Sequence, residues 1–186
     1  MPNYRRVYVP GGTYFFTCVA HRRRPILTTN LGRRCLRKAL KAIANDHPFN
    51  ILAIVLLPDH WHTAWSLPPG DDRYALRWMR IKEEFTEAWL AGGGLELPQS
   101  ASRARHRQRG VWHKRYWEHT VRDEADLERC VTYIHWNPCK HKLVARVRDW
   151  KWSSFHRFVR EGEYDLEWGG SDPTPGWNAP EWGELA

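Results

Sequence analysis

The stretch Phe49–Leu57 is an almost continuous apolar run, and it is followed at once by Pro58-Asp59 and the alternating segment Trp61–Leu67. A run of that length with β-branched and aliphatic residues reads as a strand buried on both faces. Pro58-Asp59 supplies a short turn, so the two segments form a hairpin at the centre of a sheet. Within it stands His60-Trp61-His62. Residues i and i+2 of a strand point to the same face, so His60 and His62 project together while Trp61 faces the other way. Two neutral imidazoles a few ångströms apart bind one divalent ion and leave positions for another ligand and a substrate oxygen. H-x-H alone is also met as two surface or hydrogen-bonded histidines, so its meaning depends on what else the chain brings.

Other elements follow from local pattern. Gly11-Gly12 makes a turn before the aromatic and β-branched strand Thr13–Ala20, which Arg22-Arg23-Arg24-Pro25 closes. Leu31–Asn45 has helical apolar spacing at Leu31, Cys35, Leu36, Ala39, Leu40 and Ile43, with Arg33, Arg34, Arg37, Lys38 and Lys41 between. Pro68-Pro69-Gly70-Asp71-Asp72 breaks the chain before a second helix, Tyr74–Leu90. Arg115–Arg122 forms a fourth strand and Asp123–Asn137 a third helix, with Asp123 as N-cap and Asp126 three residues on. A short helix is expected over Ser153–Arg160. The order β-α-β-β-α-β plus a helix is the split βαβ, ferredoxin-like arrangement, an α+β fold with a mainly antiparallel sheet and two helices on one face. Residues 1–160 make one domain. The basic segment at about 92–112 reads as a solvated, partly disordered loop, since Pro98–Trp117 holds six Lys/Arg and no acid. Residues 161–186 form an irregular tail, Gly/Pro/Trp-rich from Gly169.

The chain carries 29 Lys+Arg against 21 Asp+Glu, a net charge of +8, which suits a polyanionic partner. Some of its twelve tryptophans are available to stack on unpaired bases, and many belong to the core. Cys18, Cys35, Cys130 and Cys139 are widely spaced without a C-x-x-C pair, which argues against a zinc ribbon and, without a secretory context, against a disulfide framework. With no signal-peptide pattern at Met1-Pro2-Asn3-Tyr4-Arg5-Arg6 and no membrane-length apolar stretch, a cytoplasmic, reduced protein is expected.

Tyr133 and Asn137 are four residues apart, one helical turn on nearly one face, with Pro138 expected to end the helix there. A phenol is a poor nucleophile at its free pKa of about 10, and a divalent ion polarising the scissile phosphate lowers that barrier. Asn137 offers an amide oxygen to the same ion. His135 and Trp136 fall on other helix faces, and His141, beyond Pro138, reads as a surface residue.

These segments together resemble the single-tyrosine HUH transposases, and among them the REP-associated tyrosine transposases. The resemblance runs from Tyr4 to Arg160. It rests on Tyr4-Arg5-Arg6, Gly11-Gly12-Thr13-Tyr14-Phe15-Phe16-Thr17, Val55-Leu56-Leu57-Pro58-Asp59-His60-Trp61-His62 and Leu67-Pro68-Pro69-Gly70-Asp71-Asp72. It continues in Arg115-Tyr116-Trp117-Glu118-His119, Tyr133-Ile134-His135-Trp136-Asn137-Pro138-Cys139-Lys140-His141 and Asp149-Trp150-Lys151-Trp152-Ser153-Ser154-Phe155-His156. The resemblance implies that His60, His62 and Asn137 hold Mg2+ or Mn2+. It implies that Tyr133 attacks single-stranded DNA beside a repeat hairpin, forming a 5′-phosphotyrosine and freeing a 3′-hydroxyl. It implies a bacterial cytoplasmic enzyme acting on nucleoid-associated DNA as a monomer or homodimer, with no small-molecule cofactor.

Candidate DNA contacts are Arg5, Arg6, Arg22, Arg23, Arg24, Arg33, Arg34, Lys38, Arg115 and Lys140. Glu118 and His119 are candidates to orient the metal ligands from behind, a structural or substrate-facing place being the other reading. A hairpin-binding protein without catalysis and a rolling-circle replication initiator are the alternatives. The complete set His60, His62, Tyr133 and Asn137 counts against the first. The short chain without a helicase segment counts against the second.

Overall fold

In a computed structural model, which describes residues 6–105 and 108–170, four strands make one antiparallel sheet. They are β1 (Thr13–Val19), β2 (Asn50–Leu56), β3 (His60–Ser66) and β4 (Trp117–Thr120), in the order β2-β3-β1-β4. The helices are α1 (Asn30–Asp46), α2 (Tyr74–Ala91), the short α3 (Ala101–Arg105), α4 (Glu124–Lys140) and α5 (Phe155–Arg160). This is the expected ferredoxin-like topology with an added helix. Among the described residues no helix is long and apolar enough to cross a membrane.

Alternation along the two central strands sorts the core into two layers. Tyr14, Phe16, Cys18, Trp61 and Trp65 face α1 and α2, where the Trp65 and Trp78 rings stack at 4.7 Å. Phe15, Val55 and Ala64 face the other way, against Cys130, Val131 and Ile134 of α4. The sheet is therefore covered on both sides: α1 and α2 form one layer and the added helix forms the other. Trp61, Trp65, Trp78, Trp89 and Trp112 are all buried, so these rings serve packing and are not available to bases.

Three local expectations are corrected. First, α4 runs through Pro138 to Lys140, beyond the expected end at Asn137. The imide removes a single donor, and the helix closes a turn later with the His141 amide donating to the Asn137 carbonyl at 3.0 Å. Second, the 92–112 segment is not simply solvated. Arg109 pairs with Glu96, whose carboxylate also accepts from the Gly110 amide at 2.7 Å. Val111 and Trp112 are buried, with the His21 amide donating to the Val111 carbonyl at 2.8 Å. An added Cβ on Gly110 would lie 2.1 Å from the Leu97 carbonyl oxygen, which explains the glycine. Third, β4 stops at Thr120, because the Arg122 amide and side chain turn to the buried Asp126 carboxylate. Asp123 caps α4 as expected, accepting from the Asp126 amide at 2.8 Å.

The chain beyond α4 returns to the sheet. The Leu56 amide donates to the Trp152 carbonyl at 2.9 Å and the Ser154 amide donates to the Ile54 carbonyl at 2.8 Å, so residues 152–154 lie along the outer edge of β2. The helix expected from Ser153 accordingly starts at Phe155. Most of the expected tail, residues 171–186, lies outside the described residues.

His135 ties α4 to this returning segment through a 2.8 Å hydrogen bond between its Nε2 and Ser154 Oγ. Burial, with the Arg157 and His156 charges nearby, pushes its pKa down to about 3. The folded value lies below the unfolded one of about 6.5, so the unfolded chain takes a proton that the folded chain refuses. Stability is intact above pH 6.5 and falls as pH drops towards 3, by up to about 1.4 kcal/mol per pH unit from this group. His135→Phe should make that acid limb shallower in urea titrations run at a series of pH values. An unchanged limb would remove His135 as its source.

Candidate active site

The register of β3 with its neighbours fixes both histidines. His62 lies opposite Thr17 of β1, and Thr17 Oγ1 is 2.8 Å from His62 Nδ1. At the start of the strand, Asp59 Oδ1 is 2.7 Å from His60 Nδ1, and Arg23 donates to the other carboxylate oxygen at 3.1 Å. Burial works against the Asp59 charge, but the His60 hydrogen bond and charge and the Arg23 guanidinium outweigh it and hold its pKa at about 2. A carboxylate on Nδ1 keeps a proton on that nitrogen, so Nε2 is the ring atom left to meet a ligand. The two rings are 5.0 Å apart at 84°, both are buried, and neither Nε2 has a hydrogen-bond partner. Burial, then the His60, His141 and Lys140 charges, push the His62 pKa well below its ordinary value, so that ring is neutral.

One row of α4 side chains faces this pair. The Tyr133 ring lies 5.2 Å from the His62 ring, and the His141 ring lies 5.0 Å from the His60 ring. Asn137 sits one turn from each, fully buried, with neither amide atom hydrogen-bonded. A buried primary amide without partners is expensive, as are two unpartnered imidazole nitrogens beside it. Lys140 Nζ donates to the Tyr133 hydroxyl at 3.3 Å and stands 4.9 Å from its ring. The constellation thus holds two imidazoles, an amide, a phenol and a cation within one small volume.

The chain matches the family model "Transposase IS200 like" over residues 8–137. It is 42% identical over 171 residues to the REP-associated tyrosine transposase of Escherichia coli (strain K12), spanning 91% of this chain and 92% of that one. It is 40% identical to a putative REP-associated tyrosine transposase of Haemophilus influenzae, spanning 92% and 95%. A solved structure described as the REP-associated tyrosine transposase bound to a REP hairpin superposes with a TM-score of 0.77 at 41% identity, covering 92% of this chain and 93% of that one. The chain belongs to the REP-associated tyrosine transposases. It is accordingly an enzyme of the transposase class.

Other expected residues lie elsewhere. Glu118 is paired with Phe16 in the register and so projects to the α1/α2 face, where it meets Arg6 at 3.3 Å. It is on the opposite side of the sheet from His62 and does not stand behind either histidine. His119 is on the α4 face but is engaged by Asp126 at 2.8 Å. Among the described residues His119, Asp126 and Cys130 converge closely enough for a metal. Asp126 is, however, already shared by the Arg122 and Arg129 guanidinium groups and the His119 ring, so its carboxylate is satisfied without an ion. The groups that hold the two histidines are Asp59 and Thr17, and His141, expected at the surface, is part of the site.

The basic candidates divide similarly. Arg23 and Lys140 border the site through Asp59 and Tyr133. Arg22 and Arg23 adopt left-handed backbone angles, φ 53° and 50°. Arg6 lies over the Tyr116 ring, Arg24 donates to the Leu95 carbonyl, and Arg33 lies over Trp152. Arg34, Lys38 and Arg115 are exposed, and Arg5 lies outside the described residues.

Thr17→Val should lower stability by about 1–3 kcal/mol, because it leaves the buried His62 Nδ1 without its partner at almost unchanged volume. Chemical denaturation checks this, and a change below a few tenths would show that the contact does not hold the ring.

Proposed function

We propose that this chain cuts and rejoins single-stranded DNA next to repeat hairpins, with Tyr133 as nucleophile and His60, His62 and Asn137 holding a divalent ion, Mg2+ or Mn2+. The observation that carries the reading is the convergence of Tyr133 and the unpartnered Asn137 amide on two buried histidines whose Nε2 atoms are also unpartnered. These buried donors fit a hard or borderline cation that accepts mixed nitrogen and oxygen ligands. Bound there, the ion supplies Lewis-acid polarisation of the scissile phosphate.

The chain's own residues do the rest. Asp59 and Thr17 fix the ring orientations, as groups behind metal-binding histidines commonly do. Tyr133 Oη attacks phosphorus, the P–O3′ bond breaks, the phenol loses its proton and the departing strand ends in a 3′-hydroxyl. The tyrosine then carries the 5′ phosphate. Its ester is close in energy to the diester it replaced, so attack by a 3′-hydroxyl restores DNA without ATP. Lys140, 3.3 Å from the phenol, faces the charge that develops on the phosphate oxygens. Hairpin DNA as substrate is supported by the relative solved with a REP hairpin and by the chain's excess of positive charge.

Incubation with Mn2+ and a hairpin oligonucleotide with an unpaired flank should give a covalent protein–DNA adduct on denaturing gels. Tyr133→Phe should abolish the adduct and cleavage while hairpin binding stays within about twofold, since only the nucleophilic oxygen is lost; an adduct on the Phe variant would assign the chemistry to another residue. His60→Ala or His62→Ala should remove Mn2+ binding by calorimetry and cut activity by at least about a hundredfold, with Asn137→Ala less severe because water can replace an amide oxygen. Wild-type cleavage in EDTA would sink the metal assignment.

A further inference from the structure

Outside the site, α1 and the returning segment frame a groove of about 370 Å³ along the outer edge of β2. Its floor is aliphatic, with Leu36, Leu40 and Ile54, and its rim is basic, with Arg33, Arg37, Lys41 and Lys151. Among the described residues no acidic side chain lines it. Arg33, Arg37 and Lys41 occupy successive turns of one helix face, about 6 Å apart along the axis, so their charges form a row rather than a cluster. Arg37 and Lys41 are exposed and, among the described residues, engage no acid, whereas Arg33 is fixed over the Trp152 ring at 3.8 Å. Three cations in a row on α1, with Lys151 on the facing rim, are mutually repulsive, and a linear polyanion relieves that.

The position of the groove says which polyanion. Ser153, on its wall, bridges Val55 of β2, and Val55 is in turn paired with His62. At about 4.8 Å between neighbouring strands, the groove wall lies on the order of 10 Å from His62, on the same end of the sheet. The row stands on the α1 side of the sheet and Tyr133 on the α4 side, so a DNA strand whose phosphate is held at Tyr133 meets the row by passing around the β2 edge. Resting on the DNA reading above, we infer that the Arg37–Lys41–Lys151 groove is a phosphate track for the strand adjoining the scissile bond. It grips the backbone without reading bases: the Trp152 ring, which would be the stacking surface, already carries Arg33 and Lys151.

The test measures affinity for an unpaired-flank hairpin oligonucleotide across a salt series, in a Tyr133→Phe background so that the DNA stays intact. Arg37→Ala/Lys41→Ala/Lys151→Ala should weaken binding at least about tenfold near 0.1 M salt and lower the slope of log K against log salt by about two, the loss of three phosphate contacts. The charge-preserving triple Arg37→Lys/Lys41→Arg/Lys151→Arg should keep the wild-type slope. A wild-type slope in the alanine triple overturns the groove while leaving the hairpin reading intact. An equal fall in slope for Arg80→Ala/Arg146→Ala/Arg160→Ala, the same charge change on other surfaces, also overturns it in favour of diffuse attraction. A wild-type slope combined with lost binding of a polyglutamate peptide reassigns the groove to an acidic protein segment. Failure of the parent protein to bind the hairpin at all overturns both readings at once.

Discussion

Pairing of β3 between β1 and β2 is the constraint on which the rest depends. Its register sets Thr17 opposite His62 and sends Trp61 and Trp65 into one core and the histidines toward α4. A slip of one residue would exchange these faces, placing both imidazoles in an aromatic layer and the indoles against Tyr133. The penalty for burying Trp61 and Trp65 on the wrong side is what keeps the chemistry on the right one. Site geometry is thus enforced by apolar packing that never touches a substrate.

The site's electrostatics also follow from that packing. The histidines lie beside Lys140 and Arg23 in a buried volume, where desolvation and like charge both oppose protonation of His62. Asp59 supports His60 while itself being held ionised first by His60 and then by Arg23. The polar atoms left over are the two imidazole Nε2 atoms and the Asn137 amide, all buried and without hydrogen-bond partners. Asp126 shows the contrary case. Its carboxylate is also buried, yet Arg122, Arg129 and His119 surround it, and it anchors β4 to α4.

Much of this was legible in the sequence because strand alternation and helical spacing are short-range. The hairpin, the projection of His60 with His62 and the shared face of Tyr133 and Asn137 all follow from residues within a turn or a strand of one another. What the sequence hid depended on long-range pairing. Thr17 becomes a partner of His62 only once β1 and β3 are in register, and the face to which Glu118 projects depends on β4's phase relative to β1, which is not written locally. His141 was missed for a different reason. Proline was read as a stop, but the helix absorbs the loss of one donor and carries the 133/137/141 row one turn further. The 92–112 segment misled through composition: its charges suggested solvent, while Glu96 ties its two arms together and the buried Val111 and Trp112 fasten it to the body of the fold.

The strip formed by residues 152–154 has a further consequence for how copies of this protein can meet. An open strand edge invites addition of another chain, and proteins commonly block it. Here the amides of Ile54 and Leu56 and the Ile54 carbonyl are already spent on Ser154 and Trp152. That side of the sheet is closed to growth by strand pairing, so a second copy cannot simply extend it. The same residues that close the edge are followed by α5, whose Phe158 packs on His135 of α4. The end of the fold thereby works as a clasp: it shuts the sheet against neighbours and braces the helix that carries Tyr133.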